Sequence, residues 1–182
     1  MLSIKELLYN VSKGQSGIPL KYVIQRLDQI YEQMKPKIIV RGTREEEGGT
    51  FVYLSVPSED MKKEYDVCFW FDTTTRVTKN TKLKLYTNSP HFGFSYAYIF
   101  NKKKSLLWPE LYPNKIITMA PKIRNPYQAV GFDKHVWAGM KYIISEKLIN
   151  IIKRAPKTKK VKVTDFEGKL KHLKRIQKKN KK

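Results

Sequence analysis

The chain has 182 residues, 41% hydrophobic and 12% aromatic, which is enough apolar material for one folded domain and too much for a wholly disordered chain. Lys+Arg number 37 against 16 Asp+Glu, and the net charge of +21 points to a polyanionic partner, most simply nucleic acid. The single cysteine, Cys68, excludes an internal disulfide framework and a Cys-rich zinc site, and no apolar run is long enough to span a bilayer.

The first 35 residues read as a helical hairpin. Ser3 and Glu6 have the spacing of a capping box, with Leu2 and Leu7 at the staple positions around it. Ile4, Leu7, Leu8 and Val11 form one helical face, and Gly14–Gly17 supplies a turn. Pro19 suits the start of a second helix carrying Leu20, Val23, Ile24, Leu27, Ile30, Tyr31 and Met34, which Pro36 ends. Lys5, Glu6 and Asn10 stand where a signal peptide would place its apolar run, so secretion by that route is not expected.

Residues 37–100 read as an antiparallel sheet. Lys37–Arg41 is a short β-prone run, Gly42–Gly49 a polar loop, and Phe51–Val56 an alternating strand stopped by Pro57. Glu64–Asp72 is apolar on both faces: Tyr65, Val67, Phe69 and Phe71 on one, Cys68 and Trp70 on the other. That predicts a central strand covered on both sides, with Cys68 buried. Leu83 and Leu85 alternate with Lys82 and Lys84 over Thr81–Thr87. Beyond the turn Asn88–Pro90, residues His91–Phe100 read as a last strand, with Phe92, Phe94, Tyr96, Tyr98 and Phe100 on one face. Phe92-Gly93-Phe94 echoes an RNA-recognition core, but Pro90, His91 and Ala97 break that pattern, and core packing is the better account.

Residues 101–132 read as an irregular arm, punctuated by Pro109, Pro113, Pro121 and Pro126. Lys102, Lys103 and Lys104 form a basic loop tip, while Trp108, Tyr112 and Tyr127 are candidates for a protein interface. Asp133 then caps a helix running to about Arg154, striped with Trp137, Met140, Ile144, Leu148 and Ile151. The fold class is therefore α+β: an N-terminal helical hairpin, an antiparallel sheet, a long C-terminal helix and a basic flexible tail. Residues 1–154 make the single domain and 155–182 the tail.

The charge is concentrated at the C-terminal end. Lys153–Lys182 holds 14 Lys+Arg and 2 acids, a net of +12 in 30 residues, which leaves +9 for residues 1–152. Lys157, Lys159, Lys160, Lys162, Lys169, Lys171, Lys174, Arg175, Lys178, Lys179, Lys181 and Lys182 are the candidate nucleic-acid contacts, joined by Lys102, Lys103 and Lys104. Leu170, Leu173 and Ile176 recur every three residues, a spacing for a helix formed on binding. That apolar face is narrow and lacks a central Trp or Phe, which argues against a membrane surface.

Reaction chemistry is not spelled out. His91, His135 and His172 have no partner at metal-ligand spacing, and His135 reads as a surface residue beside a helix start. Asp66, Asp72, Lys82 and Lys84 lie on neighbouring strands, where a metal-dependent nuclease would keep acids and a lysine, but the compact Glu-x-Lys pairing is missing. No phosphate-binding glycine loop or nucleophile elbow occurs, and no cofactor or metal is implied.

The run Tyr65–Phe71, the run Lys84–Phe92, the triplet Arg124–Pro126 and the run Lys134–Met140 together resemble small virion proteins of tailed bacteriophages from low-GC hosts. The resemblance implies a neck, tail or baseplate component, or a protein carried near the packaged genome, located in the virion or the host cytoplasm. It transfers no functional residue. The leading expectation is a non-enzymatic assembly protein of a nucleoprotein particle, partnered by other particle proteins or by itself. The tail would contact nucleic acid or acidic neighbours. The alternatives are a free, non-sequence-specific DNA- or RNA-binding protein and, last, the nuclease.

Overall fold

Among the described residues, five strands form one antiparallel sheet in the order β1-β5-β4-β3-β2. They are β1 (Leu2–Ser3), β2 (Ile39–Glu46), β3 (Gly49–Pro57), β4 (Glu64–Phe71) and β5 (Lys82–Thr87). The computed structural model describes residues 1–7, 20–123, 125, 126, 128, 130, 131 and 133–149, all within a body spanning Met1–Ile152. The architecture is mixed α+β, and a C-terminal helix packs on the sheet.

β4 is central, as its two apolar faces predict, and Cys68 is buried. Val67, Phe69 and Phe71 of β4 join Val52, Leu54 and Val56 of β3 and Leu83 and Leu85 of β5 in the main core. Phe51, Cys68 and Trp70 belong to a smaller cluster on the opposite face. Successive side chains of a strand point to opposite faces, so a strand apolar at every position needs two cores.

The expected loop Gly42–Gly49 is instead mostly strand. β2 runs through it to Glu46 and turns at Glu47 and Gly48, whose φ values are 51° and 74°, the left-handed pair a tight hairpin requires. Every residue of β2 is exposed, so neither face imposes an apolar alternation that could betray the strand.

Of the expected hairpin, residues 4–7 are helical, and so is α1 (Leu20–Met34). The connection Gly14–Gly17 and Pro19 lie outside the described residues. The capping box is formed as read: Glu6 Oε2 accepts from Ser3 N at 2.7 Å and from Ser3 Oγ at 2.8 Å, and Ser3 Oγ accepts from Glu6 N at 3.1 Å. Leu2 and Leu7, the staple pair, are both buried in the main core.

Residues 90–102 are not a strand but a helix, α2. It comprises an α-turn Pro90–Phe92, a π-helical stretch Gly93–Ala97 and a second α-segment Tyr98–Lys102. A period of two contains a period of four, so the same aromatics serve a helix. Phe92, Tyr96 and Phe100 follow at i, i+4 and i+8 on one face, with ring centroids 6.0 Å and 5.2 Å from Phe92. Phe94 is left 56% exposed.

The arm 101–132 contains short helical pieces, Pro109–Leu111 and α3 (Asn114–Thr118). The last helix among the described residues, α4 (Lys134–Ser145), is shorter than its apolar stripe implies. Lys147, at φ 54°, ends it: Leu148 N donates to Ile143 O at 3.1 Å and Lys147 N to Ile144 O at 3.4 Å. That is a Schellman ending with lysine in the place glycine usually takes, so the sequence carries no stop signal.

α1 and α4 lie together over the main-core face of the sheet. Trp137 Nε1 donates to Asp28 Oδ1 at 2.9 Å, Tyr31 Oη and Ser145 Oγ stand 2.8 Å apart, and Lys141 pairs with Asp28 at 3.2 Å. α4 approaches the strands closely at Gly139, where a Cβ would stand 3.2–3.4 Å from Phe69, Val67 and Leu54. Among the described residues, no helix is long and apolar enough to cross a membrane.

Candidate functional site

The outer face of the sheet is built by strand register. Arg44 of β2 opposes Phe51 of β3, Phe51 opposes Trp70 of β4, and Trp70 opposes Lys84 of β5. Directly opposed residues share a face, so these four form one cross-strand row. Arg44 lies 5.3 Å over the Phe51 ring and Lys84 Nζ 5.0 Å over the Trp70 ring, so a cation closes each end of an aromatic pair. The next row sets Tyr53 of β3 against Cys68 of β4 and Cys68 against Tyr86 of β5.

Segment 105–112 folds over this face. Leu106 bridges to Leu85, and Trp108 then packs 5.4 Å from Phe51 and 5.5 Å from Tyr86. Trp108 adopts a φ of 52° to reach that position. A groove of about 430 Å³ remains between Trp108 and β2, with Arg41, Arg44, Tyr53 and Asp66 on its walls. Asp66 accepts from Tyr53 Oη at 2.7 Å and from Asn88 Nδ2 at 3.2 Å. That bond, then burial, pushes the Tyr53 hydroxyl up to about 12, and burial pushes the Cys68 thiol up to about 12.

The candidates read from the sequence divide accordingly. Trp108 does line an open groove. Tyr112 does not present an interface: it is 8% exposed, and its hydroxyl donates to Thr87 O at 2.7 Å while accepting from Thr87 N at 3.1 Å. It pins the arm to β5, and its aromatic character served that packing.

Lys102, Lys103 and Lys104 are exposed as expected, but they are a helix end rather than a loop tip. Lys104 has φ 54°, and Ser105 N donates to Phe100 O at 2.8 Å, the same ending as at Lys147. Three cations at a helix C-terminus also complement its dipole. Tyr127 and the lysines and arginine Lys157, Lys159, Lys160, Lys162, Lys169, Lys171, Lys174, Arg175, Lys178, Lys179, Lys181 and Lys182 lie outside the described residues. The nuclease candidates Asp66 and Lys84 are committed to the contacts above, and among the described residues no three His, Cys, Asp or Glu side chains are grouped to hold a metal ion.

A second constellation escaped the sequence reading. His135 is not a surface residue; it is 4% exposed, and the Tyr65 ring lies 4.4 Å from its own. Its Nδ1 stands 3.2 Å from Asp133 Oδ2, which also accepts from Ser89 Oγ at 2.5 Å, while Asp133 Oδ1 accepts from Val136 N at 3.0 Å. The helix cap Asp133 is thus as predicted, with two further partners. Burial acts to raise the Asp133 carboxyl, but the bonds from His135, Ser89 and Val136 outweigh it and hold the group below its ordinary value. Ser89 bonds the carboxylate rather than the free edge of the imidazole, so the three do not form a nucleophilic triad. Asp133-x-His135 is visible in the chain, but nothing local ties it to a serine 44 residues earlier.

No protein-family model, curated protein or solved structure matches this chain.

Proposed function

We propose that this chain is a non-enzymatic assembly protein of a nucleoprotein particle, of the kind found in tailed-phage virions. Its α+β body is the docking unit, with the N-terminal helical hairpin part of that unit. Its Lys-rich C-terminal segment contacts nucleic acid or an acidic neighbour. The observation that carries this reading is the charge distribution: +12 of the net +21 falls in Lys153–Lys182. Lysines on such a segment release counterions from phosphates without reading sequence.

The test is a salt titration of DNA binding by the full chain and by a chain ending at Arg154. On duplex DNA the slope of log affinity against log salt is about −0.9 per phosphate contact. The full chain is expected to show a steep slope and the shortened chain to lose most of it. A shortened chain that keeps the slope would sink this reading.

One observation favours the second reading, a free nucleic-acid-binding protein. The row Arg44–Phe51–Trp70–Lys84 puts cations beside aromatic rings on one face of the body, the ingredients of a single-strand platform. Phe51 and Trp70 are largely buried under Trp108 and their neighbours, so few ring faces are left for bases, and the row ranks second. Under this reading the double variant Lys103→Glu with Lys104→Glu, in the shortened chain, weakens binding.

A further inference from the structure

Single apolar side chains are common on a protein surface, but several gathered around one hollow mark a contact. Phe94 of α2, Met119 at the end of α3 and Ile123 beyond it are 56%, 50% and 90% exposed. They line two adjoining hollows of about 420 and 380 Å³, which share Phe94, Pro121 and Lys122.

The walls are held from behind. Phe92 and Phe100 fix the inner side of α2 in the main core and leave Phe94 outward. Phe94 lies in the π-helical stretch, a rare conformation that recurs at functional sites. Asn101 Nδ2 donates to Ile117 O at 3.2 Å and ties α3 to α2. Gly93 lines the larger hollow, and a Cβ there would meet nothing within 4 Å, so that wall is open.

The charge on the lining has one sign. Lys115 and Lys122 are exposed, and neither pairs with an acid among the described residues. Among those residues no carboxylate lines either hollow. The occupant must therefore bring bulky apolar groups for the hollows and negative charge for the lysines. A second copy meeting this face with its own would set four lysines against one another. A nucleobase would bury polar edges against Ile116, Met119 and Ile123, which offer no hydrogen bond. A bilayer receives a convex apolar face, whereas hollows receive side chains.

We propose that this surface docks an acidic amphipathic segment of another protein, its apolar side chains in the two hollows and its carboxylates at Lys115 and Lys122. The inference rests on the reading of the body as a docking unit and gives that unit a face and a partner chemistry.

The full chain, with ¹³C in its methionine methyls, is titrated with a short blocked peptide carrying Leu and Phe on one helical face and Asp and Glu on the other. Met119 reports the surface and the buried Met34 the core. No methionine lies in Lys153–Lys182, so carboxylates that merely gather on that segment go unread. The Met119 resonance is expected to move and saturate, and that of Met34 to stay. Phe94→Lys and, separately, Lys115→Glu with Lys122→Glu, all at exposed positions, should each weaken this binding by about tenfold. A Met119 resonance that the peptide leaves unmoved overturns the proposal. So does an equal response to the same peptide with lysine in place of its acids, or binding that survives both variants. Movement caused only by phosphatidylglycerol vesicles, or only by raising the protein concentration, overturns it as well and gives the surface to a bilayer or to a second copy. The DNA titration reads the Lys-rich segment and the Met119 titration reads the body, so the two readings fail separately.

Discussion

Asp133 sits 3% exposed at the start of α4, with Oδ1 on the Val136 N–H and Oδ2 shared by Ser89 and His135. Its folded carboxyl lies below the ordinary 3.8, so its contribution to stability has a defined pH sense. That contribution is complete well above 3.8 and is lost as the pH falls below it through the folded value. Asp133→Asn, which keeps the shape and removes the charge, should cost about 2–3 kcal/mol in urea unfolding at pH 7. The gap between variant and original should close as the pH is lowered through that window. A constant gap would mean that the charge is not what the site uses. The capping half of this arrangement was readable because cap and N–H are neighbours in sequence, as with Ser3 and Glu6. The buried half was not, because the pairing of Asp133 with Ser89 is created only by the fold.

At the scale of elements, the difference between sequence pattern and structure is sharpest in α2. Alternating aromatics satisfy a strand and a helix equally, and only the buried partners decide. The two arrangements make opposite predictions for positions two apart. In a strand Phe92 and Phe94 would share a face, whereas in α2 Phe92 is fully buried and Phe94 is not. Phe92→Ala should therefore cost about 3–5 kcal/mol, and Phe94→Lys should stay within about 0.5 kcal/mol, both read from denaturant midpoints. Equal losses would return the segment to the sheet. The helix ends tell a related story. Two helices stop at a lysine in the left-handed region, Lys104 and Lys147, where a Cβ is unfavourable. Lys147→Gly should raise stability by roughly 0.5–1 kcal/mol, measured by thermal or urea unfolding, and a loss would show that the lysine side chain holds the turn itself. Apolar periodicity located α4 correctly but overran its end, because the stripe through Leu148 continues to pack after the helix has finished.

For the whole molecule, one antiparallel sheet supplies two unlike surfaces. The inner face is covered by helices, while the outer face is aromatic, edged with cations and capped by Trp108. The doubly apolar β4 announced the existence of both faces in the sequence, and the α+β class followed from the helical patterns that flank a run of short strands. What each face is for was less legible, since it depends on strand register, on the segment 105–112 folding back, and on the contact of α1 with α4. The separation of charge was legible throughout, because it needs only counting. It sets the whole-chain expectation that salt acts chiefly through the C-terminal thirty residues, while pH acts through the buried carboxylate of the body.

The terminal strand β2 has a consequence for how the molecule keeps to itself. Among the described residues no further strand pairs with it, so one side of an eight-residue backbone is a template for sheet growth. Its register shifts between Val40 and Gly42, which leaves Arg41 as an extra residue, braced by Glu64 at 3.3 Å, and Arg44 and Glu46 form a second pair at 2.7 Å. A bulge and paired charges are what natural sheets use to refuse strangers. Exposed Ile39 and Val40 stand just beside that guard. Replacing Arg41 and Arg44 together with threonine should leave the fold intact and turn a well-behaved solution into one that forms sedimenting, thioflavin-positive material on standing. The two arginines would then be as much a matter of colloidal survival as of any partner.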